Sequence, residues 1–297
     1  MRASMRRLLK SIRVGAHTKV NEVSRWWRGH PLWKCQNICG NASVRMRNRA
    51  RTKTAEAPSV LLLTLTSTRL RLESLKKMEH EYPLRHDFDP TWAVRPLALS
   101  QCNGQKVLVL EDPGGEFLHR LIRGPMEIEQ CLRLAIGLST ALDQLHNRSV
   151  IHKDLKPSNV LVDTATGHAW LTGFGIASRL RANDSPRATR VHRWNLPYMA
   201  PEQTGRMNRS IDLRSDLYAL GVTMYEMLTG SLPFIASDPM DCVHYHIARQ
   251  PAPPDGQAKG IPGMLSAIII KLLAKTAEEP YQTAVGLERE PLQIVDE

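Results

Sequence analysis

Between positions 151 and 162 the chain reads Ile-His-Lys-Asp-Leu-Lys-Pro-Ser-Asn-Val-Leu-Val, and no other stretch limits its possible folds and chemistries as strongly. A carboxylate at Asp154, an ammonium at Lys156 and an amide at Asn159 are gathered on one loop that runs into a short apolar strand. Phosphoryl transfer asks for this set. Asp154 can accept a hydroxyl proton, Lys156 can neutralise charge on a moving phosphoryl group, and Asn159 can hold a metal.

The rest of the chain is long enough to build a scaffold for such a loop. Its 297 residues, 42% apolar and 23% charged, suit one large domain or two smaller ones and exclude a disordered or collagen-like chain. Apolar runs such as Val60 to Leu63 and Ala267 to Ile270 stop far short of the ~20 residues a membrane-crossing helix needs, so no membrane span is expected. The five cysteines (Cys35, Cys39, Cys102, Cys131 and Cys242) are scattered and odd in number. Reduced thiols and a cytoplasmic location are the expectation.

The net charge of +11 is unevenly spread. Residues 1–57 carry 14 Lys and Arg against Glu22 and Glu56, whereas the remainder carries 26 basic and 27 acidic residues. The basic character therefore belongs to an arm, 1–57, expected to be a poorly ordered extension. Its tryptophans set among arginines are the only feature suited to nucleic acid or an anionic membrane surface, and its Arg-rich, acid-poor start is similar to an organellar transit peptide. Nucleic acid is not expected to bind the body. Cys35 and Cys39, with His30 nearby, lack a second pair at zinc-site spacing and read as free thiols.

From Pro58 onward, β-rich runs (PSVLLLTLT, VRPLALSQ, QKVLVLEDPGG) flank a helical stretch, LESLKKMEHEYPLR. The last strand stops at the turn Asp112-Pro113-Gly114-Gly115. Beyond it, Ile128, Leu132, Ala135, Leu142 and Leu145 recur at helical spacing and predict a helix over 127–146. A further helix is expected from Ser215 to Thr229, capped by Gly230. A small sheet-rich lobe thus precedes a larger helical one.

The loop at 151–162 closely resembles the catalytic loop of protein kinases, and the resemblance continues in order. Tyr198-Met199-Ala200-Pro201-Glu202 is similar to the family's Ala-Pro-Glu element. Ser215-Asp216-Leu217-Tyr218-Ala219-Leu220-Gly221 is similar to its central-helix motif, in which Asp216 would hold the catalytic-loop backbone. Leu232-Pro233-Phe234 and KLLAKTAEEPYQTA complete a match over roughly 58–286. One such element alone would be weak, since His-x-Asp with a downstream Asn also occurs in small-molecule kinases; four in order are specific. The run MAPEQTGRMNRSIDLRSDLYALGVTMYEMLTGSLPF resembles the Ser/Thr kinase-type domain that opens large bacterial hybrid proteins carrying an ATPase module and a sensor histidine kinase, which would make this chain a fragment or a truncated relative.

The resemblance implies an α+β, two-lobed protein-kinase-like fold with a small, degenerate β-rich N-lobe (58–112), a hinge (111–115), a larger helical C-lobe (116–286) and a tail (287–297). It implies ATP and Mg²⁺ as cofactors and a protein substrate or regulatory partner. Asp154 and Lys156 would be catalytic and Asn159 would hold the metal. Glu111, Asp112, Pro113 and Gly114 would offer backbone bonds to a purine, Leu161 would floor the adenine pocket, and His152 would stack on Phe174.

Several parts of that pattern are missing. Where the family has Asp-Phe-Gly the chain has Gly173-Phe174-Gly175, and glycine has no side-chain ligand for the metal. Asp163, four residues past Asn159, is the one nearby carboxylate that could compensate. The phosphate-covering G-x-G-x-x-G is absent, and SVLLLTLT carries no anchoring Lys. Glu81 aligns with the helix glutamate that would pair with that Lys, so it reads as an exposed surface Glu. Lys153 replaces an Arg, Asn195 stands near the place of a Thr, and Pro280 replaces a late-helix Arg, which would leave Glu202 without a partner. Ser178, Ser185 and Thr189 could accept phosphate near Arg179, Arg181, Arg187 and Arg190. The expectation is a serine/threonine kinase-like signalling domain with weak or impaired activity; the alternative is a pseudokinase scaffold, with or without bound nucleotide.

Overall fold

A computed structural model describes residues 45–50, 59–65, 71–102, 105–180, 196–207 and 209–275. Most of the arm (1–44 and 51–57), with Cys35 and Cys39, lies outside them, as do Ser185, Thr189, Arg181, Arg187, Arg190, Asn195, Pro280 and the tail 287–297. The described residues fall into two compact units: one runs up to His86 and resumes over Val94–Pro113, and the other comprises Asp87–Ala93 and the chain from Gly114 onward.

The first unit is a four-stranded antiparallel sheet with one helix. Its strands are β1 (Arg45–Ala50), β2 (Val60–Leu65), β3 (Pro96–Cys102) and β4 (Gln105–Glu111), in the order β1-β2-β4-β3. Period-two burial follows from the pleat: Leu61 faces Leu110 and Leu63 faces Leu108 across β2 and β4, and all four are buried. On the opposite face Leu62 and Val107 form a second apolar cluster with Val60 and Val109.

β1 corrects the reading of the whole arm as an extension. Arg45 to Ala50 pair residue by residue with Leu65 to Val60. The strand is basic, but ladder hydrogen bonds are made by the main chain, and charge at an edge does not prevent them.

Helix α1 (Arg71–Glu81) passes into a 3₁₀ turn, Tyr82–His86, because Pro83 has no N–H for another α-helical bond. Glu81 is not the exposed residue expected: it is fully buried. Ser74, Met78 and Glu81 recur at i, i+4 and i+7 and form the inward stripe of α1, so the helix end turns the carboxylate inside despite its charge.

The second unit is built on helices α3 (Ile128–His146), α4 (Leu213–Thr229), α5 (Pro239–Ala248) and α6 (Gly263–Leu272), with a short α2 (Leu118–Leu121). α4 is buried along nearly its whole length. It begins two residues earlier than the sequence suggested, because the Asp212 side chain accepts the Arg214 N–H and caps it; Gly230, at φ +71°, ends it as expected. Two small antiparallel sheets sit among the helices. One is β5 (Glu116–Phe117), β7 (Val160–Val162) and β8 (Ala169–Leu171); the other pairs β6 (Val150–Ile151) with β9 (Ser178–Arg179). Among the described residues no helix is long and apolar enough to cross a membrane.

Asp87–Ala93 precedes β3 in sequence yet packs with the second unit. The Phe88 ring lies 4.1 Å from that of Phe174, Trp92 is buried, Asp87 pairs with Arg179 at 2.6 Å, and Leu171 N–H donates to the Trp92 carbonyl at 2.8 Å. Two large aromatic rings gain more by burial there than by remaining on a loop.

Candidate active site

β6 delivers the chain to the 151–162 loop, a 3₁₀ turn (Pro157–Asn159) closes it, and β7 carries it away. The buried Asp216 in the first turn of α4 fixes its entry. Its Oδ2 accepts the His152 N–H at 2.8 Å, its Oδ1 accepts the Lys153 N–H at 2.8 Å, and His146 Nε2 lies 3.0 Å from Oδ2. Burial alone would raise the Asp216 carboxyl, but the His146 contact, the nearby imidazoles and the His152 N–H together hold it below the usual range. The role implied for Asp216 is the one its hydrogen bonds perform.

The loop brings Asp154, Lys156 and Asn159 together. Lys156 Nζ is 2.8 Å from Asp154 Oδ1, and Asn159 Nδ2 donates to the Asp154 carbonyl at 2.6 Å. The Asp154 side chain is 8% exposed and that of Lys156 is 20% exposed, so the carboxylate is kept from bulk water while the ammonium reaches toward it. The Asp154 N–H donates to His152 Nδ1 at 3.2 Å, which makes Nε2 the protonated nitrogen of a neutral imidazole, 3.2 Å from the Thr172 carbonyl. Burial depresses the His152 pKa, in keeping with that neutral ring. His152 stacks on Phe174 at 4.7 Å between centroids.

The metal set is incomplete. Asn159 has committed its amide nitrogen to the Asp154 carbonyl, and Gly173 contributes no side chain. Asp163 does not compensate: its Oδ1 accepts the Ala165 N–H at 2.9 Å and its own N–H donates to the His168 carbonyl, so it shapes the turn between β7 and β8. Among the described residues no three His, Cys, Asp or Glu side chains are grouped so as to hold a metal ion. The residues present therefore do not make up the two-sided magnesium set of Asn and Asp.

The other departures resolve individually. Glu202 is not left without a partner: Ser215 Oγ donates to its Oε1 at 2.5 Å. Burial still raises the Glu202 pKa, against the Ser215 hydrogen bond, which lowers it. Of the phosphate-accepting candidates, Ser178 is described and sits in β9, where the neighbouring Arg179 is already paired with Asp87.

The remaining predicted residues are placed as follows. Glu111 ends β4 in the first unit, with its N–H on the Arg95 carbonyl at 2.9 Å and its carboxylate on Arg95 Nε at 2.9 Å. Asp112 and Pro113 follow it, and Gly114, at φ +93°, begins the second unit. Leu161 is fully buried in β7, paired with Phe117 and Trp170.

The protein kinase domain family matches residues 66–279. This chain belongs to that family. The kinase domain is 33% identical over 189 residues to serine/threonine-protein kinase PknB of Mycobacterium leprae (strain TN), covering 63% of this chain and 30% of that protein. It is 33% identical over 183 residues to the probable serine/threonine-protein kinase PknB of Bifidobacterium longum (strain NCC 2705), and 34% identical over 179 residues to a probable serine/threonine-protein kinase of Clostridium perfringens (strain 13 / Type A). Each of these two matches covers 60% of this chain and 26% of the relative, so the chain spans under a third of the length of the curated relatives it matches. The fold is that of a serine/threonine protein kinase domain, with a small sheet-containing N-lobe and a helical C-lobe.

Two residues of the kinase loop's surroundings escaped the sequence reading. His146, the last residue of α3, reaches Asp216 from 70 positions away, and Gln203 reaches the Lys153 carbonyl from 50 positions away. A polar residue closing an apolar helix stripe was the available signal for the first; nothing local marked the second.

Proposed function

We propose that this domain transfers the γ-phosphoryl group of ATP to serine and threonine hydroxyls of a protein substrate, slowly, as part of intracellular signalling in the cytoplasm. The observation that carries the reading is the assembled loop: a shielded Asp154 carboxylate with Lys156 at 2.8 Å, pinned from below by Asp216. Asp154 orients the acceptor hydroxyl and takes its proton, and Lys156 offsets charge on the oxygens that move past it. Slowness follows from Gly173, since each missing preorganised charge commonly lowers the rate by ~10²-fold to 10³-fold. No step is assigned to a metal, because the described residues do not complete its site.

The experiment is incubation of the full chain with ATP and casein, followed by phosphoamino acid analysis. Slow formation of phosphoserine and phosphothreonine, abolished by Asp154→Ala in a folded sample, is expected. Transfer that survives the substitution, or mainly phosphotyrosine, would overturn the assignment. Gly173 favours a second reading, a pseudokinase that engages a regulatory partner without transfer; no product from any acceptor, in a chain that nonetheless folds, would select it.

A further inference from the structure

Lys153 adopts φ +66°, a left-handed conformation that a lysine does not take without support. Its N–H is held by Asp216, as described above. Its carbonyl accepts a 2.9 Å hydrogen bond from Gln203 Nε2, while Gln203 Oε1 accepts the Ala200 N–H at 3.0 Å. Gln203 is buried, at 8% exposure, so both ends of its amide are committed within the protein. The peptide plane between Lys153 and Asp154 is thus clamped through its carbonyl by a residue 50 positions away.

We infer that Gln203 is a positioning residue for Asp154: it supports the left-handed Lys153 and couples the aim of the Asp154 carboxylate to the Met199–Thr204 segment. This rests on the phosphoryl-transfer reading above for its consequence, but not for its geometry. A side-chain amide is required at this point. A carboxylate in its place would face the Lys153 carbonyl with like partial charge, and an apolar chain would remove both the acceptor of the Ala200 N–H and the amide donor to the Lys153 carbonyl. The primary amide supplies donor and acceptor at once, at a reach that asparagine lacks.

The test uses the full chain carrying Gln203→Met or Gln203→Glu, with Ile269→Val in α6 as a destabilised control remote from the loop. Transfer from ATP to casein is measured as kcat and KM, and amide hydrogen exchange is followed segment by segment. The expected result is a fall in kcat of about tenfold, the effect of one misdirected hydrogen bond, with KM within twofold of the parent. Exchange should rise at residues 152–156 and leave α3 and α4 protected. The control should lose thermal stability without losing kcat. A kcat equal to that of the control, or a rise in KM alone, would overturn the inference. If the parent chain transfers nothing, the phosphoryl-transfer reading fails and the exchange comparison decides the positioning role by itself. Faster exchange confined to 152–156 in both Gln203 variants then supports it, and unchanged or uniformly increased exchange refutes it.

Discussion

Ser215 Oγ donates a 2.5 Å hydrogen bond to Glu202 Oε1, linking the first turn of α4 to a buried carboxylate. Among the described residues a hydroxyl, and not an arginine, is what bonds this carboxylate. Because burial raises the Glu202 pKa, the folded state holds that proton more tightly than the unfolded chain, and ionising Glu202 costs stability as pH rises above the ordinary carboxyl range. Ser215→Ala removes a bond that favours the ionised form. It should cost about 1.5–3 kcal/mol at pH 7.5 and distinctly less at pH 4.5, as measured by urea unfolding at both values. Equal losses at the two pH values would show that Glu202 is not ionised at neutrality.

Asp216 accepts two loop N–H groups and meets His146, so Asp216→Ala leaves buried donors unpaired. The loss should be about 3–5 kcal/mol, with Asp216→Asn milder because one carbonyl oxygen remains to accept. Denaturant titration of the three proteins would establish the order, and Asn as damaging as Ala would place the effect in charge and not in acceptor number.

A buried relay runs from Lys275 Nζ to the Tyr218 hydroxyl (2.8 Å) and on to His246 Nδ1 (2.8 Å). Burial, aided by the Lys275 charge, pushes His246 down to about 3. Below the ordinary histidine range the unfolded chain takes up a proton that folded His246 refuses, so stability present above about pH 6.5 is lost as pH falls toward 3. Burial also pushes Lys275 down to about 7, and between there and its ordinary range stability should rise with pH for the same reason. His246→Gln should flatten the acid limb by roughly 2–4 kcal/mol between pH 7 and pH 4. Thermal melts across that range give the comparison, and an unchanged limb would assign the acid sensitivity elsewhere.

Gly173 has φ +87°, a conformation that costs an L-residue about 1–2 kcal/mol. Gly173→Asp should therefore melt a few degrees lower in the absence of ligand, about 2–4 °C per kcal/mol for a domain of this size. It should gain a Mg²⁺-dependent stabilisation by ATP that the parent lacks. A variant that melts lower and shows no such gain would mean that the missing carboxylate is not the only defect in the nucleotide site.

The features legible in the sequence are those whose partners lie close along the chain. Asp154, Lys156 and Asn159 fall within six positions, so their proximity follows from one tight loop, and the helices α3 and α4 announce themselves by apolar periodicity. Glu81 was misread because its charge spoke for solvent while its spacing from Ser74 and Met78 spoke for the interior; spacing won. The strand Arg45–Ala50 was hidden by its arginines, since main-chain pairing leaves no trace in side-chain charge. The Gln203 clamp was invisible for a different reason: the two groups it joins, the Ala200 N–H and the Lys153 carbonyl, lie about 50 positions apart and meet through the packing of the Met199–Thr204 segment on the loop.

Asp87–Ala93 crosses the boundary that chain order would suggest. Phe88 and Trp92 are encoded ahead of β3 and β4 yet are interior residues of the helical unit, so a cut at Pro113 also divides that unit's hydrophobic interior. Expressing the piece from Gly114 onward would leave the Phe174 ring facing a vacancy the width of an aromatic side chain, and adding back a short peptide spanning 87–93 should restore it, as in a split protein whose smaller half is only seven residues long.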